Sequence, residues 1–95
     1  MINMTKTEIH RDIVLKLNAL YEAKNSDYGD SFATVRGKYH NAILIRLWDK
    51  LLRLETLLNG AEQKVNDENI DDTLKDLANY ALMELVEREI ERLNR

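Results

Sequence analysis

Charged side chains stand at helical spacing in the second half of this chain. Asp72 and Asp76 are four residues apart, and Asn79 and Tyr80 follow within the same third of a helix circumference. Like charges four residues apart destabilise a helix by about 0.2–0.5 kcal/mol, so the pair needs a compensating cation. A Mg²⁺ ion would compensate, because Mg²⁺ takes one or two carboxylates and completes its shell with water and phosphate oxygens.

A basic stripe precedes these acids in the sequence. Arg46, Lys50 and Arg53 fall on one side of a second predicted helix, with Asp49 beside them. Two interpretations are open. In the first, the basic stripe and the acids form an ion-pair network between two helices, which is a common role of charged stripes. In the second, the acids hold Mg²⁺ and the basic side chains bind the phosphate oxygens of a ligand.

The segment 27–32 (DYGDSF) is the other candidate for chemistry. Asp27 and Asp30 offer oxygen ligands, and Tyr28 offers a flat face on which a base can stack. Gly29 permits a positive φ or a close approach of the backbone to a ligand. The alternative is a tight turn with helix caps, whose phenylalanine packs in the core.

The elements that position these groups are predicted to be helices. Apolar residues recur at three- and four-residue spacing in three stretches, over about Thr5–Lys24, Lys38–Asn59 and Asn69–Leu93. Thr5 and Glu8 have the form of a capping box, and Gly60 stands where the second helix should stop. Turn-forming residues predict a long loop over Asn25–Gly37, and polar residues predict a connector over Ala61–Glu68.

The composition limits the class of protein. Its 95 residues favour one domain over 1–95, and the absence of proline with only three glycines favours an all-α fold. The formal net charge of −3 argues against a binder of nucleic-acid backbone. The absence of cysteine excludes disulfides and thiolate metal sites. No apolar run is long enough to span a membrane and no signal peptide is visible, so we expect a cytoplasmic protein.

The second predicted helix is apolar on two sides. One broad face carries Ile43, Leu44, Leu47, Leu51, Leu54 and Leu58, and a second strip carries Ile45, Trp48 and Leu52. A helix that is apolar on two sides needs more than one packing partner. We therefore predict a small bundle of three main helices that is completed by a homodimer or a higher homo-oligomer.

Four segments occur in an order that is more distinctive than any one of them. They are residues 24–32 (KNSDYGDSF), 45–54 (IRLWDKLLRL), 64–68 (KVNDE) and 70–81 (IDDTLKDLANYA). Together they resemble the nucleotide modification associated domain 1 family, small proteins common in phages and prophages, over about residues 22–84. The resemblance implies a role in phage nucleotide metabolism or DNA base modification. The polar residues that it marks are Asp27, Tyr28, Gly29, Asp30, Arg46, Asp49, Lys50, Arg53, Lys64, Asp67, Glu68, Asp72, Asp76 and Asn79.

A more distant likeness is to the all-α nucleoside triphosphate pyrophosphohydrolases of the MazG and dimeric dUTPase type. Those enzymes are helical oligomers that hold Mg²⁺ with acids from two adjacent helices. The stretch from Asp72 to Asn79 looks like their second acidic helix. The preceding helix departs from their pattern, because it carries the basic stripe where they carry a Glu-Glu-x-x-Glu cluster. The departure weakens the case for catalysis more than the case for nucleotide binding.

Three hypotheses are open. The first is a Mg²⁺-dependent enzyme that hydrolyses a deoxynucleoside triphosphate to the monophosphate and pyrophosphate, with a metal-bound water as nucleophile. The second is a nucleotide-binding module without catalysis, and the third is a structural or protein-interaction bundle whose charged stripes only pair. The first assigns metal binding to Asp49, Asp72 and Asp76, the orientation of water to Asp27 or Asp30, and ligand binding to Tyr28, Gly29, Arg46, Lys50, Arg53 and Asn79.

Overall fold

Helices account for the regular structure of this protein. The computed structural model describes residues 3–28, 30–60 and 67–95, and for residues 27, 28, 67 and 68 it describes the backbone alone. Within these ranges there are four α-helices and no strand, so the predicted all-α class is confirmed. The helices are α1 (Lys6–Tyr28), α2 (Ser31–Lys38), α3 (Ala42–Asn59) and α4 (Asp67–Leu93).

The start of α1 is fixed by the predicted capping box. The Glu8 amide donates to Thr5 Oγ1 at 3.1 Å, and the Thr5 amide donates to Glu8 Oε1 at 3.4 Å. These two bonds satisfy donors that the first turn of a helix leaves without an intrahelical partner. The box therefore works as the sequence indicates. At its other end α1 continues four residues beyond the predicted Lys24.

The predicted loop over Asn25–Gly37 is wrong. Its first residues form the last turn of α1, and most of the remainder is the short helix α2. A turn-forming residue opposes a helix by at most about 1 kcal/mol, which contacts elsewhere can outweigh. In α2 those contacts come from Phe32, which is buried, and from Arg36, which pairs with α4.

The second predicted helix begins later than expected. A turn over residues 39–41 separates α2 from α3, closed by a bond from the Ala42 amide to the Tyr39 carbonyl at 3.0 Å. Gly60 ends α3, as predicted, in an extended conformation with φ −66° and ψ 135°. Residues 61–66 of the predicted connector lie outside the described residues. Its last two residues, 67 and 68, belong to α4.

The chain divides into two compact units, Met1–Ser31 and Phe32–Arg95. The first contains α1, in which Leu17 is the buried apolar residue. In the second, α3 packs along α4, and Ala42 and Thr73 are its most buried residues on these helices. The Thr73 hydroxyl donates to the Asn69 carbonyl of its own helix at 2.9 Å, so its burial leaves no polar atom unsatisfied. No helix in the described ranges has the length and hydropathy that crossing a membrane requires.

Candidate functional site

Polar side chains from α3 and α4 meet where the two helices pack. Lys50 Nζ lies 3.0 Å from Asp76 Oδ2, and the two side chains are 25% and 26% exposed. The basic stripe and the acidic helix are thus joined by an ion pair that is largely shielded from water. Shielding makes this pair stronger than a fully exposed one, because the effective dielectric constant around it is lower.

A second contact between α3 and α4 involves a cation, Arg46, and an aromatic ring, Tyr80, which also contacts Phe32 of α2. The Arg46 guanidinium carbon lies 5.9 Å from the centre of the Tyr80 ring, within cation–π range. The ring centre of Phe32 of α2 lies 6.3 Å from the Tyr80 ring centre, with an interplanar angle of 31°. Tyr80 of α4 therefore contacts both α2 and α3. We call Arg46, Lys50, Asp76 and Tyr80 the polar seam.

Arg46 and Lys50 are one helical turn apart, and both are only partly exposed. Lys50 is paired with a carboxylate, whereas Arg46 has no carboxylate within ion-pair distance among the described residues. Arg46 contacts the face of Tyr80. A guanidinium held on an aromatic ring keeps N–H donors for a phosphate oxygen, and a ring contact does not neutralise its charge.

The other residues predicted for this site lie at its margin. Asp72 is 65% exposed and approaches Lys75 of its own helix only at 4.0 Å, which is a weak pair. Asp49 and Arg53 are exposed on α3, and Asn79 is half-buried on α4. Across the described ranges, no group of three or more His, Asp or Glu side chains is placed to hold a metal ion.

The residues predicted in segment 27–30 belong to the other unit of the chain. Asp27 and Tyr28 form the last turn of α1, and their side chains lie outside the described structure. Gly29 also lies outside the described residues, and Asp30 is exposed. The predicted roles of Asp27 and Asp30 in orienting water, and of Tyr28 and Gly29 in ligand binding, stay predictions.

The most extensive polar contact was missed by the sequence analysis. Arg36 of α2 donates to Glu84 through Nε at 2.9 Å and through Nη2 at 3.0 Å, and its Nη2 also lies 2.6 Å from Glu91. The hydrogen bond from Arg36 holds the pKa of the Glu84 carboxyl below its ordinary value, and the two glutamates raise the pKa of Arg36. One signal was available: Glu84 and Glu91 stand seven residues apart, which places them on one face of the third predicted helix.

The comparison with protein families identifies the domain. A sequence profile described as nucleotide modification associated domain 1 matches residues 24–87, about two thirds of the chain. The chain belongs to this family. The matched range of this nucleotide modification associated domain contains α2, α3 and the polar seam. No match is found among curated proteins or among solved structures, so the likeness to MazG-type enzymes stays a prediction.

Proposed function

We propose that this nucleotide modification associated domain binds a phosphorylated nucleoside at the polar seam, as part of nucleotide metabolism or base modification. The observation that carries the proposal is the pair of cations, Arg46 and Lys50, held one turn apart and partly buried between α3 and α4. Arg46 is partly buried on the Tyr80 ring and has no carboxylate within ion-pair distance in the described structure, so its N–H donors remain open to an anion. A phosphate group would satisfy these donors, and exposed Arg53 would add a contact at the end of the stripe.

We propose that Mg²⁺ binds at the polar seam together with the phosphates of the ligand. Asp76 is a carboxylate paired with Lys50, and Asp49 and Asp72 are exposed. Mg²⁺ takes one or two carboxylates and obtains its other ligands from phosphate and water, and Asp76 would supply such a carboxylate beside Lys50. The chemistry that Mg²⁺ would supply is neutralisation of phosphate charge. Asp76 and the half-buried Asn79 would orient it.

Two outcomes of binding are proposed for the same site. One is hydrolysis of a deoxynucleoside triphosphate to the monophosphate and pyrophosphate. The other is binding without catalysis, as a partner of another nucleotide enzyme or as an interaction module. The working environment that we propose is the cytoplasm of a bacterial cell that carries a phage or prophage. Self-association is a separate proposal, which rests on the apolar surface of α3.

The test is a titration of the protein with a panel of ordinary and modified deoxynucleoside triphosphates, with and without Mg²⁺. Calorimetry measures binding and chromatography measures products. Lys50→Met should weaken binding about 5- to 30-fold, the effect of removing a partly buried charge-assisted contact. Lys75→Met is the matched control, because Lys75 is 48% exposed and, among the described residues, its ion pair is the 4.0 Å approach to the exposed Asp72. Equal binding by both variants, or none by wild type, would contradict a phosphate site at the polar seam.

A further inference from the structure

The outer side of α3 is covered by apolar residues that nothing in the described structure buries. The six residues of this surface, each between 46% and 63% exposed, are Leu44, Ile45, Trp48, Leu51, Leu52 and Leu58. We call them the outer strip. On a helix with 3.6 residues per turn, the outer strip points away from the side that carries Arg46 and Lys50. The side of α3 that packs along α4 therefore holds Arg46 and Lys50 together with the partly buried Leu47 and Leu54, and the outer strip lies on its far side.

A helix pair alone in water would leave this second apolar face of α3 exposed. Contiguous apolar surface on a folded protein marks an interaction site more often than scattered apolar residues do. Leu44, Leu51 and Leu58 repeat every seven residues, which is the spacing of a seam that packs along another helix. The occupant of the outer strip is therefore expected to be a helix.

We propose that the outer strip is the contact surface between two copies of this chain, related by a two-fold axis near Leu51. The chain carries a net charge of −3, so two copies repel each other, and the outer strip is nearly free of charge with Glu55 alone in its middle. A two-fold axis brings the central residue of the strip onto itself, because an isologous interface uses one patch on both copies.

The sequences of the undescribed parts lack the apolar residues that a cover for the outer strip needs. They are residues 1–2, 29 and 61–66, and the longest of them, AEQKVN, holds only two apolar residues. That segment is too short and too polar to bury six large side chains. The described residues leave the outer strip exposed, and α3 of a second copy has the length and the apolar face that the strip needs.

The size of the outer strip sets the expected strength of the dimer. From Leu44 to Leu58 the helix rises about 21 Å, so one helix pair buries less than the roughly 800 Å² per partner of a standard stable interface. We therefore expect dissociation in the micromolar range. The mass of the full chain should rise from about 11 kDa toward twice that value between about 1 and 200 µM.

The mass is measured by sedimentation equilibrium on the full chain and on Leu51→Lys, which should stay a single copy at every concentration. Leu15→Lys is the matched control, because Leu15 of α1 is 61% exposed and lies outside the outer strip. Far-ultraviolet circular dichroism checks that each variant keeps its helices. If Leu51→Lys loses helix, Leu58→Lys replaces it. If the folded variant gains mass with concentration as the wild type does, the proposal is overturned.

A cysteine introduced at the axis gives an independent readout. The natural chain has no cysteine, so Leu51→Cys carries one thiol, which a two-fold axis brings next to the same thiol of the second copy. Mild oxidation should link Leu51→Cys into covalent dimers and leave Leu15→Cys unlinked. A wild-type monomer throughout the concentration range overturns the proposal. If Trp48 fluorescence is then shielded from quenchers, another part of the same chain is the occupant.

Discussion

At the scale of single residues, the Lys50–Asp76 ion pair determines which ions can bind at the polar seam. Each side chain is about one quarter exposed, so the pair is neither a free surface contact nor a deeply buried one. A partly shielded pair of this kind holds two helices in register and still exchanges with other ions. Any anion that binds Lys50 must compete with the Asp76 carboxylate, and any cation that binds Asp76 must compete with Lys50.

Asp76→Asn tests this competition directly. The variant should bind inorganic triphosphate without Mg²⁺ about threefold to fivefold more tightly than wild type, because it removes a competing ion pair worth up to about 1 kcal/mol. Calorimetry at low salt measures the change. Asp72→Asn is the control, since the Asp72 carboxylate is 65% exposed and should leave affinity unchanged. Weaker binding by Asp76→Asn in the absence of Mg²⁺ would mean that the carboxylate does not compete with the anion.

At the scale of elements, the short helix α2 depends on its contacts. Eight residues are too few for a stable isolated helix in water, so α2 needs tertiary anchors. Phe32 supplies a buried ring beside Tyr80, and Arg36 supplies the bidentate contact with Glu84 on α4. These anchors join positions that are 48 residues apart. They also place Tyr80 against α3, so α2 supports the polar seam without contributing a charge to it.

The Arg36 contact makes stability depend on pH. Because Arg36 lowers the pKa of Glu84 in the folded chain from its ordinary 4.5, Glu84 stabilises the fold above about pH 4.5, and this stabilisation is lost as the pH falls through the lowered pKa. Denaturant unfolding at pH 7 and at pH 3 should show a smaller acid-induced loss in Glu84→Gln than in wild type. At pH 7, Glu84→Gln should itself cost about 1–3 kcal/mol.

Glu89→Gln is the control for this pH dependence. Glu89 pairs with Arg92 at 2.6 Å, but both side chains are more than half exposed, so the pair contributes little in water. The control should retain the acid-induced loss of wild type. If Glu84→Gln and Glu89→Gln show equal pH dependence, the Arg36–Glu84 contact does not set it.

The long helices could be predicted from the sequence, because their patterns are local. The Thr5–Glu8 box spans three residues, and the apolar period of α3 runs for five turns to its stop at Gly60. The helix α2 could not be predicted, since its eight residues carry no clear period and its anchors lie on a distant helix. An ion pair between the basic stripe and the acids was one of two interpretations of the sequence. Sequence spacing predicts the helix face on which a residue lies, but it does not predict which side chain of another helix that residue contacts.

At the scale of the whole molecule, the proposed dimer would bury the carboxylate of Glu55. This side chain is exposed on α3, within the outer strip between Leu51 and Leu58. In a dimer that buries the strip, the carboxylate loses water without a basic neighbour on the same face, and burying an unpaired charge is unfavourable. The dimer therefore forms in spite of Glu55.

Removing that charge should tighten the dimer. We expect Glu55→Gln to lower the dissociation constant about tenfold, the equivalent of roughly 1.4 kcal/mol of relieved desolvation. Glu22→Gln is the control, because it removes one negative charge from an exposed position on α1 and changes only the overall repulsion between copies. Sedimentation equilibrium compares the two variants at the same ionic strength. An equal shift in both would mean that net charge governs association and that Glu55 stays in water, which would move the interface away from the middle of the outer strip.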